Sequence, residues 1–322
     1  MSSPRDLYEY LKFRGIKEYI ARAFLEVPRE YFVFEREPLW QIYSDSVVIT
    51  YEDEEIHTTS SQPSLMAQFM EELDIKEGSR VLEIGGGTGY NAAVMAKIVG
   101  ETGLVVSIEY NKKIYDLGRK ALERAGINNV IFLNKDGFEG EKEYAPYDAI
   151  LSAVGVDFVP KNWFEQLKDG GRLIAPLNVK SSTFYQPTLL FWKENGWIYA
   201  KQRFATSFIK AGGKLGNLAE RVYEMYHSLR CEDSIELPMA FESMGIVEVL
   251  SASVCRFGVE FFYADGKGKA KYSSGLWRGC GDLKRLSNII NELEKSKYPS
   301  LREALLKFDI NRESFEVFRE GF

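Results

Sequence analysis

At 322 residues, with 45% apolar and 27% charged side chains, the chain can bury a sizeable core and has room for one large domain and one small one. A net charge of −6 argues against a general nucleic-acid binder, because counterion release needs clustered Lys and Arg. No apolar run reaches the 18 residues a membrane span needs, and the opening MSSPRDLYEYLKFRG is charged and helical in pattern, so neither a membrane nor a nucleic-acid partner is expected.

Leu7, Leu11, Ile16, Ile20, Ala23 and Phe24 recur at helical spacing until V-P-R-E at 27–30 breaks the pattern, which predicts an N-terminal helical cap. VVITYEDEEIHTT at 47–59 is β-branched and then acidic, a strand or hairpin followed by a loop. SQPSLMAQFMEEL at 61–73 starts a helix: Pro63 suits the first helical position, and Leu65, Met66, Phe69, Met70 and Leu73 share a face. Ser61 and Gln62 stand just before it, where free amides, a hydroxyl and the helix dipole suit a bound carboxylate. The same two residues could instead cap the helix.

VLEIGGGTG at 81–89 is the most informative stretch. An apolar strand carrying Glu83 runs into a turn with glycines at 85, 86, 87 and 89, and a helix follows from Asn91. Glycine tolerates positive φ and has no Cβ to hold a ligand away, so backbone can pass close to a nucleotide there. The run reads G-x-G-x-G rather than the dinucleotide fingerprint, and a glycine turn without a Walker lysine suits a nucleoside lacking phosphates. LVVSIE ends in Glu109, placed to accept from both ribose hydroxyls, and VIFLNKDG brings Asp136, able to face an adenine amino group. S-adenosylmethionine is favoured over a nicotinamide cofactor. The plainer alternative is a tight βα turn with solvated acids.

From residue 80 strands and helices alternate: strands at 81–84, 104–108, 130–133, 148–153 and 172–176, helices at 90–99, 111–125 and 160–168. That rhythm is a parallel, doubly wound α/β sheet. TLLFWKENGWIYAKQ at 188–202 is a hairpin turning at Asn195-Gly196, which completes the seven-stranded Rossmann-like sheet of S-adenosylmethionine-dependent methyltransferases. After the glycine-bearing IKAGGKLGN at 209–217 a boundary is placed, dividing a domain over 1–217 from a small α+β domain over 218–322. The latter is read as helix 218–229, strands near 246–250 and 254–264, a D-G-K-G turn, and helices around 282–296 and 299–307. Leu283, Leu286, Ile290 and Leu293 form one helix face, read as core rather than an oligomer seam.

Cys231, Cys255 and Cys280 lie far apart without a C-x-x-C pair, and are read as buried or free thiols in a reducing cytosol rather than a disulfide frame or zinc site. No metal is expected, and the chain is placed in the cytoplasm. His57 and His227 are the only histidines, which argues against histidine-centred acid–base chemistry. His57 is read as a surface residue.

With these segments in view, the chain resembles the protein-L-isoaspartate O-methyltransferases. The matches are TSSQPSLMA at 59–67, VLEIGGGTGYNAAVMA at 81–96, the acid of VVSIE at 105–109, the Asp-Gly of NKDG at 134–137, and DAILSAVGVDFVPKNWFEQLKDGGRLIAPL at 148–177. The resemblance implies a carboxyl O-methyltransferase that turns S-adenosyl-L-methionine into S-adenosyl-L-homocysteine while methylating isoaspartyl carboxylates of proteins or peptides. It assigns Ser61 the catalytic, substrate-contacting role, with Thr59 and Gln62 beside it. Cofactor binding falls to Glu83, Gly85, Gly87, Gly89, Glu109, Asp136 and Gly137. A carboxylate substrate is already ionised at pH 7 and needs no general base.

Three departures bear on substrate choice. ATSFIKAGG at 205–213 replaces the family's F-V-P-L-like segment, Val154-Gly155-Val156-Asp157 replaces small residues, and the C-terminal domain is absent from most members. Asp157 either lines the substrate side or is a solvated loop acid. Repair of damaged proteins, tailoring of one precursor peptide, and a non-catalytic cofactor-binding module are the competing readings.

Overall fold

The computed structural model describes residues 1–178, 185–231, 235–239, 244–251, 254–257, 260–265, 267–297, 299–312 and 314–319. The chain forms two compact units, Met1–Ala153 with Gln166–Ile174, and Val154–Glu165 with Ala175–Phe322. The elements in chain order are α1 (Pro4–Phe13), α2 (Glu18–Glu26), α3 (Leu39–Ile42), β1 (Val48–Glu52), β2 (His57–Ser60), α4 (Pro63–Glu72), β3 (Arg80–Ile84), α5 (Tyr90–Val99), β4 (Leu104–Glu109), α6 (Lys112–Arg124), β5 (Val130–Asn134), β6 (Tyr147–Ser152), α7 (Lys161–Gln166) and β7 (Leu167–Pro176). They continue with β8 (Gln186–Glu194), β9 (Trp197–Thr206), α8 (Leu218–Ser228), β10 (Ile235–Pro238), α9 (Met244–Leu250), β11 (Val254–Phe257), β12 (Glu260–Ala264), β13 (Gly268–Ser273), β14 (Leu276–Gly281), α10 (Lys284–Lys295), β15 (Ala304–Phe308) and β16 (Phe315–Arg319).

In the first unit five parallel strands lie in the order β7-β6-β3-β4-β5. Strand order reverses at β3, because the chain adds β4 and β5 on one side and β6 and β7 on the other. That reversal opens a crevice at the carboxyl end of β3, where an α/β sheet accepts a ligand. Val81, Leu82, Val105, Val106 and Ile150 are fully buried, as strands covered on both faces require. The expected N-terminal cap is present: Leu7, Leu11, Ile20, Ala21 and Phe24 of α1 and α2 are all fully buried.

In the second unit β8 and β9 form the expected hairpin, with Asn195 at φ 52° and Gly196 at φ 80°, the pair of positive angles a type I′ turn demands. β15 pairs antiparallel with β9 and β16 with β15, so the C-terminal residues add two strands beyond the hairpin. A separate antiparallel sheet has the order β10-β14-β13-β12-β11. Leu283, Leu286, Ile290 and Leu293 at α10 are buried and serve as core. Gly266 of the D-G-K-G turn and residues 258–259 between β11 and β12 lie outside the described residues.

Three expectations for the C-terminal part are corrected. Residues 246–250, read as a strand from their β-branched content, belong to helix α9, in which Met244, Val247 and Leu250 recur at helical spacing and are wholly buried. The helix expected over 299–307 gives way to β15, where Ala304, Leu306 and Phe308 alternate into the core and the β9 edge supplies the pairing. The cysteines are not all free thiols. Cys231 and Cys280 form a disulfide with Cα atoms 5.7 Å apart. Sequence spacing hides this pairing. Lys269 of β13 lies opposite Cys280 of β14 and donates to the Leu229 carbonyl at 2.7 Å, so the chain leaving α8 passes across this strand pair.

Breaking that bond, by reduction or by Cys231→Ser, is expected to destabilise the second unit by about 4 kcal/mol on loop-closure entropy, the cysteines being 49 residues apart. Urea unfolding followed by fluorescence, with the buried Trp277 as reporter, measures it; an unmoved midpoint after reduction would show the thiols unpaired in solution.

Candidate active site

The site grows from the turn after β3. Gly85 and Gly86 each donate a backbone N–H to the Ile108 carbonyl at 2.9 Å, and Gly85, Gly87 and Gly89 sit at φ +85°, +54° and +91°. Those three angles strain any residue with a side chain. Gly86 is required for a different reason: a Cβ there would lie 2.3 Å from Ser107 Oγ and 2.7 Å from the Phe132 ring. Sequence reasoning assigned the glycines to the ligand and missed this packing demand.

Glu83 is completely buried on β3, beside Ser107 in the β4 register. Its Oε2 accepts from Ser107 Oγ at 2.6 Å and its Oε1 from Asn91 Nδ2 at 2.5 Å, joining β3, β4 and the first turn of α5. Burial pushes the Glu83 carboxyl up to about 7, against the pull of those two donors. Glu109 ends β4 and accepts the Gly87 N–H at 2.8 Å on Oε2 and the Asn111 N–H at 2.7 Å on Oε1. Burial raises its carboxyl above the ordinary range, opposed by the Asn111 and Gly87 amides. Asp136 Oδ1 accepts the Phe138 N–H at 2.9 Å and caps the single 3₁₀ turn that begins at the buried Gly137.

The second half of the site is the segment Thr59 to Ser64. Thr59 and Ser60 end β2, paired with Ile49 and Val48 of β1. A Cβ at position 87 would lie 3.8 Å from Thr58 Oγ1, so the β2 residue just before Thr59 lies against the glycine turn. The N-terminus of α4 already holds a carboxylate: Asp45 Oδ1 accepts the Ser64 N–H at 2.8 Å, while its Oδ2 accepts from Gln62 Nε2 at 3.0 Å and Ser64 Oγ at 2.8 Å. The amides expected to be free are therefore engaged, and Gln62 is tied to Asp45. The Ser61 hydroxyl has no hydrogen-bond partner among the described residues, and its carbonyl accepts from Arg29 Nη2 at 2.9 Å. Neither Arg29 nor Asp45 stood out in the sequence; nothing in V-P-R-E or S-D-S marks them, because their partners, mostly backbone carbonyls for Arg29 and the Gln62 and Ser64 groups for Asp45, are brought together only by folding.

Asp157 is no solvated loop acid. Its side chain is 6% exposed, its Oδ1 accepts from Asn178 Nδ2 at 2.8 Å, and Lys210 Nζ stands 3.8 Å from its Oδ2, all within the second unit. His57 lies at the surface as expected, half exposed and 2.9 Å from Glu52 Oε1.

The sequence model of the family described as Protein-L-isoaspartate(D-aspartate) O-methyltransferase matches residues 2–216. The chain belongs to that family. It is 43% identical over 305 residues to a protein-L-isoaspartate O-methyltransferase of Thermotoga maritima, covering 95% of this chain and 96% of the relative. A Methanocella arvoryzae enzyme of the same name is 38% identical over 59% of this chain and 96% of its own length. A solved protein-L-isoaspartate O-methyltransferase structure superposes with a TM-score of 0.89 at 42% identity, over 98% of each chain. The chain is accordingly an S-adenosylmethionine-dependent carboxyl O-methyltransferase acting on isoaspartyl residues. The positive-φ glycine turn fits that cofactor, since a Cβ at those positions would strain the very backbone a nucleoside must approach.

The buried Glu83 gives this methyltransferase a stability that depends on pH. Its carboxyl binds a proton more tightly folded than unfolded, so between the ordinary 4.5 and about 7 the native state holds the extra proton. Stability of the cofactor-free enzyme is expected to fall as pH rises through that window, by about 3 kcal/mol in all, and to level off above it. Urea midpoints from pH 4.5 to 8 check this, and Glu83→Gln should flatten the slope.

Proposed function

We propose that the isoaspartyl carboxylate is received by Ser61, with Thr59 beside it, opposite the glycine turn, and that the enzyme acts in repair of damaged proteins. The observation that carries this reading is the position of Ser61. Its hydroxyl has no partner among the described residues, and it follows Thr58, which lies against Gly87, in a stretch fixed by Arg29 and Asp45. Gln62 then serves by holding Asp45 rather than by touching substrate.

When bound, S-adenosylmethionine supplies a methyl group on a sulfonium, open to attack by a carboxylate oxygen. Glu109 would hold the ribose hydroxyls, Asp136 and Gly137 the adenine edge, and Gly85, Gly87 and Gly89 would let the backbone close on the nucleoside. Glu83 acts one step back, orienting the turn through Asn91 and Ser107. The acceptor is ionised at neutral pH, so the protein's work is alignment and exclusion of water, worth about 7–11 kcal/mol for well-oriented partners.

Tailoring of one precursor peptide is the weaker reading. The C-terminal part that would serve a dedicated partner is matched in the Thermotoga maritima relative, which is called a protein-L-isoaspartate O-methyltransferase over 96% of its length. We place residues 218–322 as contributing to recognition of protein substrates, and the enzyme in the cytoplasm. The net charge of −6 supports a protein or peptide rather than a nucleic acid as the partner.

The deciding assay compares methyl transfer to an isoaspartyl peptide, its normal aspartyl twin and a C-terminally amidated isoaspartyl version. Both isoaspartyl forms should be methylated and the aspartyl twin should not; equal labelling of the twin would overturn the repair reading. Ser61→Ala should lower kcat/KM for the isoaspartyl peptide by at least about tenfold while cofactor affinity holds. Glu109→Ala should instead weaken S-adenosylmethionine binding, by about 5- to 150-fold, as loss of a buried acceptor costs about 1–3 kcal/mol. Isothermal titration measures that loss.

A further inference from the structure

Arg29 is fully buried, and no carboxylate among the described residues lies within ion-pair distance of it. Its partners are almost all backbone carbonyls. Nη1 donates to Ile42 O at 2.9 Å and Ser44 O at 3.3 Å; Nη2 donates to Ser61 O at 2.9 Å, Ser60 O at 3.2 Å and Ser46 O at 3.3 Å. Nε and Nη2 also reach Ser60 Oγ, at 3.2 and 3.0 Å. The guanidinium carbon lies 5.4 Å from the centroid of the Tyr90 ring, and Tyr90 is the first residue of α5, directly after Gly89.

A planar fork of five donors can satisfy carbonyls arriving from several directions, which an ammonium cannot. Burying such a charge is costly unless every donor is used, and a well-packed apolar side chain would often be equally stable. Simple stability therefore does not call for arginine here. What the arrangement achieves is registration. One side chain binds the Ser60 and Ser61 peptides, binds the 42–46 strap whose Asp45 holds Gln62 and Ser64, and packs on the residue that follows the glycine turn. Three residues along, the Phe32 carbonyl accepts from Thr88 Oγ1 at 2.7 Å, which ties the segment that carries Arg29 to the glycine turn.

We infer that Arg29 is a positioning residue for methyl transfer, fixing the Ser61 hydroxyl relative to the glycine turn so that the acceptor carboxylate meets the methyl donor in line. The inference rests on Ser61 being the substrate contact. Misplacement of a contact by about 1 Å can cost on the order of 100-fold in rate.

The test is a double-mutant cycle of Arg29→Lys and Ser61→Ala, read by kcat/KM for an isoaspartyl peptide and by the S-adenosylmethionine Kd. Arg29→Lys keeps the charge but not the fork, and is expected to lower kcat/KM by about 10- to 100-fold with the cofactor Kd within about twofold. In the Ser61→Ala background the same change should cost less than about threefold, because the group being positioned is gone. Ser60→Ala removes only the hydroxyl acceptor and should give a smaller loss in the same direction; its own cycle with Ser61→Ala decides the matter where Arg29→Lys does not fold. Additive losses, a parallel loss of cofactor affinity, or wild-type kinetics in a folded variant would each overturn the inference. Normal kinetics for Ser61→Ala alone would remove the reading of the site, and this inference with it, whereas a defective Ser61→Ala beside a normal Arg29→Lys would remove the inference only.

Discussion

The backbone of the turn after β3 must lie against β4 with no side chain between them, and every other part of the site is placed relative to that contact. At Gly86 even a methyl group would collide with Ser107 and Phe132. The approach lets Gly85 and Gly86 share the Ile108 carbonyl, puts Ser107 within reach of Glu83, and brings the Gly87 amide to the Glu109 carboxylate. A glycine turn is usually described by what it leaves open. Here it is equally defined by what it closes on, since β4 supplies a carbonyl and a carboxylate to one short run of backbone and a hydroxyl to the Glu83 side chain before it.

Two buried ionisable side chains flank that turn, and they are handled alike. Glu83 is met by a hydroxyl and an amide, Arg29 by carbonyls and a hydroxyl, and neither has an opposite charge in hydrogen-bond contact. Neutral dipoles compensate a buried charge less fully than a counter-ion does, which is why burial moves the Glu83 carboxyl so far up and draws the Arg29 guanidinium down. In return each side chain gathers groups from separate segments into one geometry. Glu83 gathers β3, β4 and α5; Arg29 gathers the strap at 42–46, the end of β2 and the ring of Tyr90. The reaction asks for this, because an already ionised nucleophile needs alignment more than activation.

The second unit shows a different constraint. The β9 strand would present a ten-residue edge if left uncovered, and long exposed edges invite association with other chains. β15 covers part of it, pairing along Ile198 to Lys201, and this pairing gives a segment with helical composition its strand conformation. The Cys231–Cys280 bond then secures the stretch after α8 to the C-terminal sheet.

The elements whose signals are local were legible in the chain. Alternating strands and helices, the Asn195-Gly196 hairpin, the glycine turn and the acids Glu83, Glu109 and Asp136 could be read directly, because periodicity, turn chemistry and spacing act over a few residues. Ser61 also came forward, through its place before Pro63. How that serine is held depends on contacts made across the fold. Asp45 fills the helix terminus that looked vacant, Gln62 turns to Asp45, and Arg29 reaches carbonyls 13 to 32 positions away in the chain. α9, β15 and the disulfide were likewise settled by packing partners remote in sequence. A carbonyl is the same group at every residue, so no residue type in the sequence announces which ones a buried guanidinium will bind; folding alone brings them to it.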